Sequence, residues 1–230
     1  MIPLHDDNTT RETPVITYGL IGLNIAIFLY QLSLSPSELE AFFGTYAVIP
    51  NQLTQSFQGG EVQQPIAPFF TLFTSQFLHG GILHIVGNML YLRVFGNNIE
   101  DVMGKTWFLL FYLLCGALAA LAQWFFSMES EIPLLGASGA IAGIMGAYIL
   151  RFPTAKILTL LPLIIIWTTI RIPAFVFLGI WFAQQAIYSI ATLEGTTTIG
   201  TEGGGVAYWA HAGGFIVGVM IGPLFGLFRE

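Results

Sequence analysis

Four polar residues with the properties of a hydrolytic site interrupt otherwise apolar stretches of the sequence. Ser138 follows Gly136-Ala137 at the start of one stretch. His84 and Asn88 lie four residues apart near the start of another, which places them on one helical face, and His211 lies near the start of a third. A serine hydroxyl is a weak nucleophile until an adjacent base accepts its proton, and neutral imidazole is such a base. These residue types predict a nucleophile at Ser138 and a general base at His211.

Attack by a serine on a carbonyl group creates an oxyanion, which needs preorganised hydrogen-bond donors. The Ser138 backbone N–H at the start of a helix, the side-chain amide of Asn88 and a ring nitrogen of His84 could supply these donors. No Asp or Glu lies in the interior of a long apolar stretch. We therefore expect a Ser-His dyad rather than a triad that contains a carboxylate.

Each of these signals also has a structural interpretation. The Gly136-Ala137-Ser138-Gly139 turn is compatible with close helix packing, because small residues are common where membrane helices touch. His211, and His84 with Asn88, could form hydrogen bonds between helices without taking part in catalysis. Polar groups in membrane helices are costly and are usually retained for a function. Three such signals at about the same depth favour a catalytic site.

The composition is that of an integral membrane protein. Of 230 residues, 55% are hydrophobic and 9% are charged, and the mean hydropathy is +0.75. An ordinary soluble domain carries about 25% charged residues. We expect residues 1–14 to form a short cytoplasmic tail and residues 15–230 to form a single membrane domain.

Apolar runs of bilayer-spanning length predict an all-α, polytopic fold. A long connection at about residues 34–81, rich in phenylalanine, is predicted to be half-immersed in the interface. The apolar stretch 158–170, which contains Pro162, could be an interfacial return or an extension of the fifth helix, and we predict the former. The six predicted spans are about residues 15–33, 82–100, 105–127, 137–151, 172–192 and 205–227.

Charge placement predicts the orientation of these spans. Lys and Arg concentrate on the cytoplasmic side of membrane proteins. If both termini lie on the cytoplasmic side, six of the seven basic residues also lie there. The exception is Arg93, which is expected to snorkel or pair near the inner end of the second span. Spans two, four and six then run inward, so the four candidate site residues lie toward the outer face. The six inner basic residues are Arg11, Lys105, Arg151, Lys156, Arg171 and Arg229.

Helix length and glycine spacing predict how the site is assembled. The fourth span, 137–151, has fifteen residues and a length of about 22 Å at 1.5 Å per residue, against a hydrocarbon core of about 30 Å. Ser138 should then lie below the outer surface, under a wet cavity. Glycine stripes let membrane helices approach closely, and packing two of them would bring His211 toward Ser138. The stripes are Gly139, Gly143 and Gly146 on span four and Gly214, Gly218 and Gly222 on span six.

At these motifs the chain resembles the rhomboid family of intramembrane serine proteases, over about residues 69–222. The resemblance implies a bacterial-type bundle of six helices, with Ser138 as nucleophile, His211 as base and His84 and Asn88 at the oxyanion. It also implies transmembrane protein substrates that are cleaved near the outer face, and a plasma (inner) membrane location. The motifs that carry it are 79–89 (HGGILHIVGNM), 95–101 (FGNNIED), 136–139 (GASG) and 210–214 (AHAGG) with Gly218.

The chain departs from the family pattern at two places. Some members carry a Tyr four residues after the nucleophile, where it stacks on the catalytic His, and this chain has Ala142. Some members have a Trp-Arg pair in the first loop, whereas no basic residue occurs between Leu32 and His79 here. Neither contact can be carried over to this chain.

Substrate entry is predicted to involve the fifth span. Residues 192–205, rich in Gly and Thr, are expected to form a mobile cap over the site, with span five moving aside to admit a helix from the lipid. The expected partners are therefore transmembrane substrates and the lipid bilayer.

Other classes of function are less well supported. Zinc sites need three or four convergent ligands, and without a His-Glu-x-x-His motif we expect neither a metal nor another cofactor. Nothing in the sequence indicates a nucleic-acid partner, and it makes no prediction of oligomeric state. The main alternative is an inactive rhomboid-like protein that binds membrane clients, although such relatives typically lack the serine and histidine that are present here. A small transporter would favour internal repeats about a binding site, and none is found.

Overall fold

The computed structural model describes residues 1–163, 166–193 and 207–228. It is mostly helical, with one small sheet. A π-helical turn at Leu92–Gly96 joins α5 and α6 into one continuous segment. The helices are α1 (Val15–Ser33), α2 (Pro36–Tyr46), α3 (Pro50–Gln58), α4 (Pro68–Thr74), α5 (Ile82–Tyr91), α6 (Asn97–Met103), α7 (Lys105–Phe126), α8 (Ser138–Arg151), α9 (Ala174–Leu193) and α10 (Tyr208–Ile221), and the strands are β1 (Ile2–Asp6), β2 (Lys156–Leu163) and β3 (Ile166–Pro173).

Four helical segments in the described part of the chain are long and apolar enough to cross a membrane. They are α1, α7, residues Ala174–Thr192 of α9, and α10 with the 3-10 turn that follows it. The α5–α6 segment makes a fifth if it is joined to Pro68–Phe77, from which it bends by 84°. The short helix α8 has 14 residues and is about 21 Å long. The prediction of a polytopic helical membrane protein is confirmed, whereas the count of six spans stays a prediction.

The long connection between α1 and α5 is built from the short helices α2, α3 and α4. Ser35 caps α2 in a reciprocal pair with Glu38, which is a common way to start a helix. Val48 exchanges backbone hydrogen bonds of 3.1 and 2.7 Å with Leu134. This pairing fastens the connection to the segment that leads into α8. Phe69, Phe70 and Phe73 are exposed, and their immersion in the interface stays a prediction.

A three-stranded antiparallel sheet is the element that the sequence did not predict. Its strand order is β1-β2-β3, with Ile2 opposite Leu160 and Asp6 opposite Ile157. Within the stretch 158–170, expected to be an interfacial return, residues 158–163 lie in β2 and residues 166–170 lie in β3, and its position at the interface stays a prediction. Pro162 cannot continue a helix, and the β-branched residues of β3 suit strands.

The first strand is tied to the helical bundle at α6 and α8. The Asp6 carboxylate accepts hydrogen bonds from Asn98 Nδ2 at 2.8 Å, from Asn8 Nδ2 at 3.1 Å and from the Tyr148 hydroxyl. Backbone pairing with β2 and these side-chain bonds hold residues 2–6 against α8 and α6. Placement of residues 1–14 on the cytoplasmic side stays a prediction.

The core of the molecule is α8. Every residue from Gly139 to Tyr148 is buried, and α7 and α10 pack along it. A methyl group added at Gly143 would lie 2.6 Å from Cys115 Sγ on α7 and 3.4 Å from the Gly214 carbonyl oxygen on α10. The backbones of α7, α8 and α10 are therefore as close as small residues allow.

Candidate active site

Ser138 and His211 meet at the N-terminal ends of α8 and α10. The distance from Ser138 Oγ to His211 Nε2 is 2.8 Å, within hydrogen-bond range. Ser138 is the first residue of α8, and His211 follows the first turn of α10. This geometry suits transfer of the serine proton to the imidazole.

The opposite side of the imidazole is held by a residue on α9. His211 Nδ1 lies 2.9 Å from Gln185 Oε1, and Gln185 is only 7% exposed. A carbonyl oxygen only accepts hydrogen bonds, so the proton of neutral His211 lies on Nδ1. The lone pair on Nε2 is then directed at the serine hydroxyl, as a general base requires.

An aromatic ring on the same helix lies beside the imidazole. The Trp181 ring centroid is 6.0 Å from that of His211, with 36° between the planes. Ala142, where some rhomboid proteases have Tyr, is buried and offers no ring. The aromatic ring beside His211 therefore belongs to a residue of α9, Trp181, rather than to a residue of α8.

Neither Gln185 nor Trp181 follows from the sequence motifs. The expectation of a simple dyad rests on the absence of carboxylates from the spans. It considers only carboxylates as partners of the histidine, so it overlooks the carboxamide of Gln185. The adjacent pair Gln184-Gln185 in the middle of an apolar run is the signal that could have found this contact, because an uncharged polar side chain in a membrane helix needs a partner.

The two side chains that are candidate oxyanion donors, His84 and Asn88, converge on the turn before Ser138. Gly136 has φ +122°, and a methyl group built on it would lie 2.7 Å from His84 Nε2 and 3.7 Å from Asn88 Nδ2. Within the described residues, Asn88 Nδ2 has no hydrogen-bond partner although it is buried. Such an amide is free to bind a substrate atom.

The tautomer of His84 is set by the backbone beside it. The Gly80 N–H donates to His84 Nδ1 at 3.4 Å. Nδ1 therefore acts as the acceptor, and the proton of neutral His84 lies on Nε2. The N–H of His84 then points toward Gly136, beside the nucleophile.

A cavity of about 1080 Å³ contains all four side chains. Ser138, His211, His84 and Asn88 contribute polar groups to its lining, which is otherwise mostly apolar. The loop that leads into α8 forms one wall and is held by a 2.9 Å bond from Gly136 N–H to the Ser75 carbonyl. A cavity of this size that contains several polar groups can hold water, as hydrolysis requires. The apolar lining includes Leu83, Leu135, Ile141, Met145 and Trp181.

Residues 67–228 match the sequence model of the Rhomboid domain. Rhomboid protein 1, mitochondrial, of Saccharomyces cerevisiae is 27% identical over 212 residues, which cover 90% of this chain and 52% of the yeast protein. Rhomboid protease AarA of Providencia stuartii is 28% identical over 220 residues, 90% of this chain and 70% of that protein. Rhomboid protease GluP of Bacillus subtilis is 33% identical over 135 residues, 58% of this chain and 24% of that protein. The chain thus spans about half the length of the yeast relative.

Proposed function

The chain belongs to the rhomboid family, and we propose that it is an intramembrane serine endopeptidase that cleaves transmembrane segments of other proteins. The observation that carries this proposal is the 2.8 Å contact between Ser138 Oγ and His211 Nε2. It lies in a cavity with two further polar groups aimed at the same turn. Two of the relatives, AarA and GluP, are named as rhomboid proteases.

The proposed reaction begins with nucleophilic attack. His211 Nε2 accepts the Ser138 proton as Oγ bonds to the scissile carbonyl carbon, whose oxygen becomes the oxyanion. The Ser138 N–H, Asn88 Nδ2 and His84 Nε2–H donate to that oxygen. The imidazolium then gives its proton to the leaving amine, the C–N bond breaks and an acyl-enzyme remains.

Hydrolysis of the acyl-enzyme uses the same base. A water molecule in the cavity loses a proton to His211 and attacks the ester carbonyl. Breakdown of the second tetrahedral intermediate returns the proton to Ser138 Oγ and releases the new carboxylate. Water must therefore reach a site on membrane-embedded helices, which gives the polar cavity its role.

The proposed substrates are membrane proteins whose spanning helix unwinds easily near the outer face. Oγ can reach a carbonyl carbon only if the local backbone is extended, so Gly or Pro near the cut should favour cleavage by weakening the helix. The proposal includes a bacterial plasma membrane, cytoplasmic termini and an active site toward the outside. It rests on the charge distribution and on the position of Ser138 at the start of α8.

The test uses purified protein in lipid and a single-span model substrate. We expect the parent protein to cut the substrate in the outer half of its span and to react with a fluorophosphonate. Ser138→Ala and His211→Ala should each lose roughly 10⁴-fold or more in cleavage rate. Ser127→Ala is the matched control, because the Ser127 hydroxyl donates to the Gln123 carbonyl at the end of α7 and does not line the cavity, so this variant should cleave at the parent rate.

Two results would overturn the proposal. One is fluorophosphonate labelling that persists in Ser138→Ala, and the other is a cut deep in the cytoplasmic half of the span. A parent protein that binds the model substrate but neither cleaves it nor reacts with the probe would favour the alternative, an inactive rhomboid-like protein that binds clients.

A further inference from the structure

We propose that Gln185 is a positioning residue for the base His211, and that the seating of α9 against the bundle thereby determines whether the dyad can react. This inference rests on the proposed protease function. It adds a third residue to the site, and it links the chemistry to the helix that substrate entry is predicted to displace.

The first observation is the hydrogen-bond pattern of the imidazole. In the described part of the chain, the ring of His211 bonds two side chains, Ser138 at Nε2 and Gln185 at Nδ1. The 2.9 Å contact to a carbonyl oxygen places the single proton of the neutral ring on Nδ1. Without that acceptor, the ring can rotate away from Ser138 or carry its proton on Nε2. In either case, Nε2 can no longer accept the serine proton.

A carboxamide fits this role inside a membrane better than a carboxylate does. It accepts the same hydrogen bond, and so selects the same tautomer, without the cost of a charge in a poorly hydrated site. The bond also strengthens when His211 becomes an imidazolium, because a charged donor makes a stronger hydrogen bond. Gln185 can therefore stabilise the transient cation as well as orient the ring.

The second observation concerns the helix that carries Gln185. Only 28% of the apolar window of α9 is buried, whereas α8 is buried along its whole central stretch. Large apolar side chains of α9 point away from the protein, as expected for a helix at the lipid boundary. A helix with one packed face can move outward at less cost than a buried one. These outward-facing residues are Phe175, Ile180, Ile187 and Ile190.

The packed face of α9 meets α10 at the catalytic histidine. Trp181 and Gln185, one turn apart, both approach His211, and the Phe182 ring stacks on Phe215 of α10 with centroids 4.8 Å apart. If α9 moves aside to admit a substrate helix, His211 loses the Gln185 bond and the Trp181 contact together. The base is then oriented only after α9 has returned, so that closure precedes attack.

The test of the positioning role compares two substitutions of Gln185. Gln185→Leu keeps a similar volume and removes the acceptor, and we expect kcat to fall about 10- to 100-fold, as when a partner that orients an imidazole is lost. KM should change little, because Gln185 is proposed to act through His211 rather than on the substrate. Gln184→Leu is the matched control, since its exposed neighbouring side chain makes the same change in composition, and it should keep the parent kcat.

The pH profile separates positioning from a merely structural role. Gln185→Glu restores an acceptor, so it should recover most of the activity lost in Gln185→Leu at alkaline pH. Its carboxylate stabilises the imidazolium, so the acid limb of kcat/KM should move to higher pH relative to the parent. A residue that only supports the fold would lower activity by the same factor at every pH, and such a result would overturn the positioning role.

The link to α9 is tested with a small fluorophosphonate, which needs no lateral entry of a helix. Phe182→Ala removes the ring that stacks on α10 and should slow labelling of Ser138. The double variant with Gln185→Leu should label no more slowly than Gln185→Leu alone, because both changes release the same histidine. Labelling of Phe182→Ala at the parent rate would show that α9 does not control the dyad.

The failures of the two proposals can be told apart. If the parent protein neither cleaves nor labels at Ser138, the protease function fails and this inference fails with it. If the parent is active, Ser138→Ala is inactive and Gln185→Leu keeps the parent kcat, the protease function stands and only the role of Gln185 is overturned.

Discussion

Gly218 on α10 lies directly against the carbonyl oxygen of Gly143 on α8, so closely that a methyl group on Gly218 would overlap that oxygen. One turn earlier, Gly214 lies against the Gly139 carbonyl in the same way. These contacts fix the separation of the two helices whose N-terminal ends carry Ser138 and His211. The 2.8 Å distance between Ser138 Oγ and His211 Nε2 therefore depends on glycines deeper in the bundle.

Gly218→Ala is expected to damage both stability and activity. The added methyl group forces α10 away from α8, because the opposing atoms belong to the backbone and cannot rotate aside. Overpacking of this kind costs about 1–3 kcal/mol. We expect the free energy of unfolding, measured by SDS titration in mixed micelles, to fall by about that amount, and kcat to fall as the dyad separates.

The control for this prediction is Gly22→Ala on α1. Gly22 is also a glycine in a membrane helix, but nothing lies within 4 Å of an added methyl group. Alanine favours helix by about 0.5–1 kcal/mol over glycine, so stability should stay the same or rise and kcat should be unchanged. Equal behaviour of the two variants would contradict the role given to the α8–α10 contact.

Much of the helical framework could be predicted because the bounds of these helices depend on residues that are close together in the sequence. The predicted spans 15–33 and 105–127 differ from α1 and α7 by no more than one residue at either end. Apolar length and the polar residues at each end determine such bounds. Residues 194–205 of the predicted cap lie outside the described residues, so this hypothesis stays open.

The sheet could not be predicted, because it depends on contacts between distant parts of the chain. Asp6 pairs with Ile157 across about 150 residues, and no local pattern in residues 2–6 indicates which strand they join. The same holds for Gln185, whose partner His211 lies on the next helix. The helical motifs that position Ser138 are local, whereas the contact between Gln185 and His211 is not.

Gly136→Ala is expected to abolish cleavage while most of the protein stays folded. Its φ of +122° disfavours any residue with a side chain, and the added methyl group would lie 2.7 Å from His84 Nε2. The turn must then shift, moving the Ser138 N–H and displacing His84 from the site. Cleavage rate should fall by at least about 10²-fold, as for the loss of an oxyanion donor, and the circular dichroism of the helices should be retained. A variant with more than half the parent rate would show that the turn tolerates the shift.

Asp6 is expected to stabilise the folded protein at low pH and to lose this effect as pH rises. Burial raises the pKa of the Asp6 carboxyl above its usual value of 3.8, against the opposing effect of hydrogen bonds from Tyr148, Asn8 and Asn98. The folded state therefore holds this proton more tightly than the unfolded state does. The stabilisation is complete below the unfolded pKa of 3.8 and is lost as pH rises through the higher folded value.

The variant that checks this linkage is Asp6→Asn, which is neutral at every pH and keeps an oxygen acceptor for Tyr148. Its free energy of unfolding should increase relative to that of the parent as pH rises above 3.8, because the parent loses the stabilisation from Asp6 when the carboxyl ionises and the variant does not. Unfolding by SDS at several pH values measures the difference. Profiles that stay parallel over this range would mean that Asp6 ionises alike in both states.

Asn88→Ala is expected to reduce catalysis without unfolding the protein. Within the described residues, Asn88 Nδ2 has no hydrogen-bond partner. Removal of this amide nitrogen therefore breaks no hydrogen bond of the folded protein. Removal of one oxyanion donor costs about 10²–10³-fold in kcat, and KM should change little because the bond forms fully only in the transition state. Asn24→Ala is the control: Asn24 Nδ2 donates to the Leu20 carbonyl on α1, so this change should lower stability while kcat per folded molecule stays at the parent value. If Asn88→Ala keeps the parent kcat, the oxyanion is held by the Ser138 N–H and His84 alone.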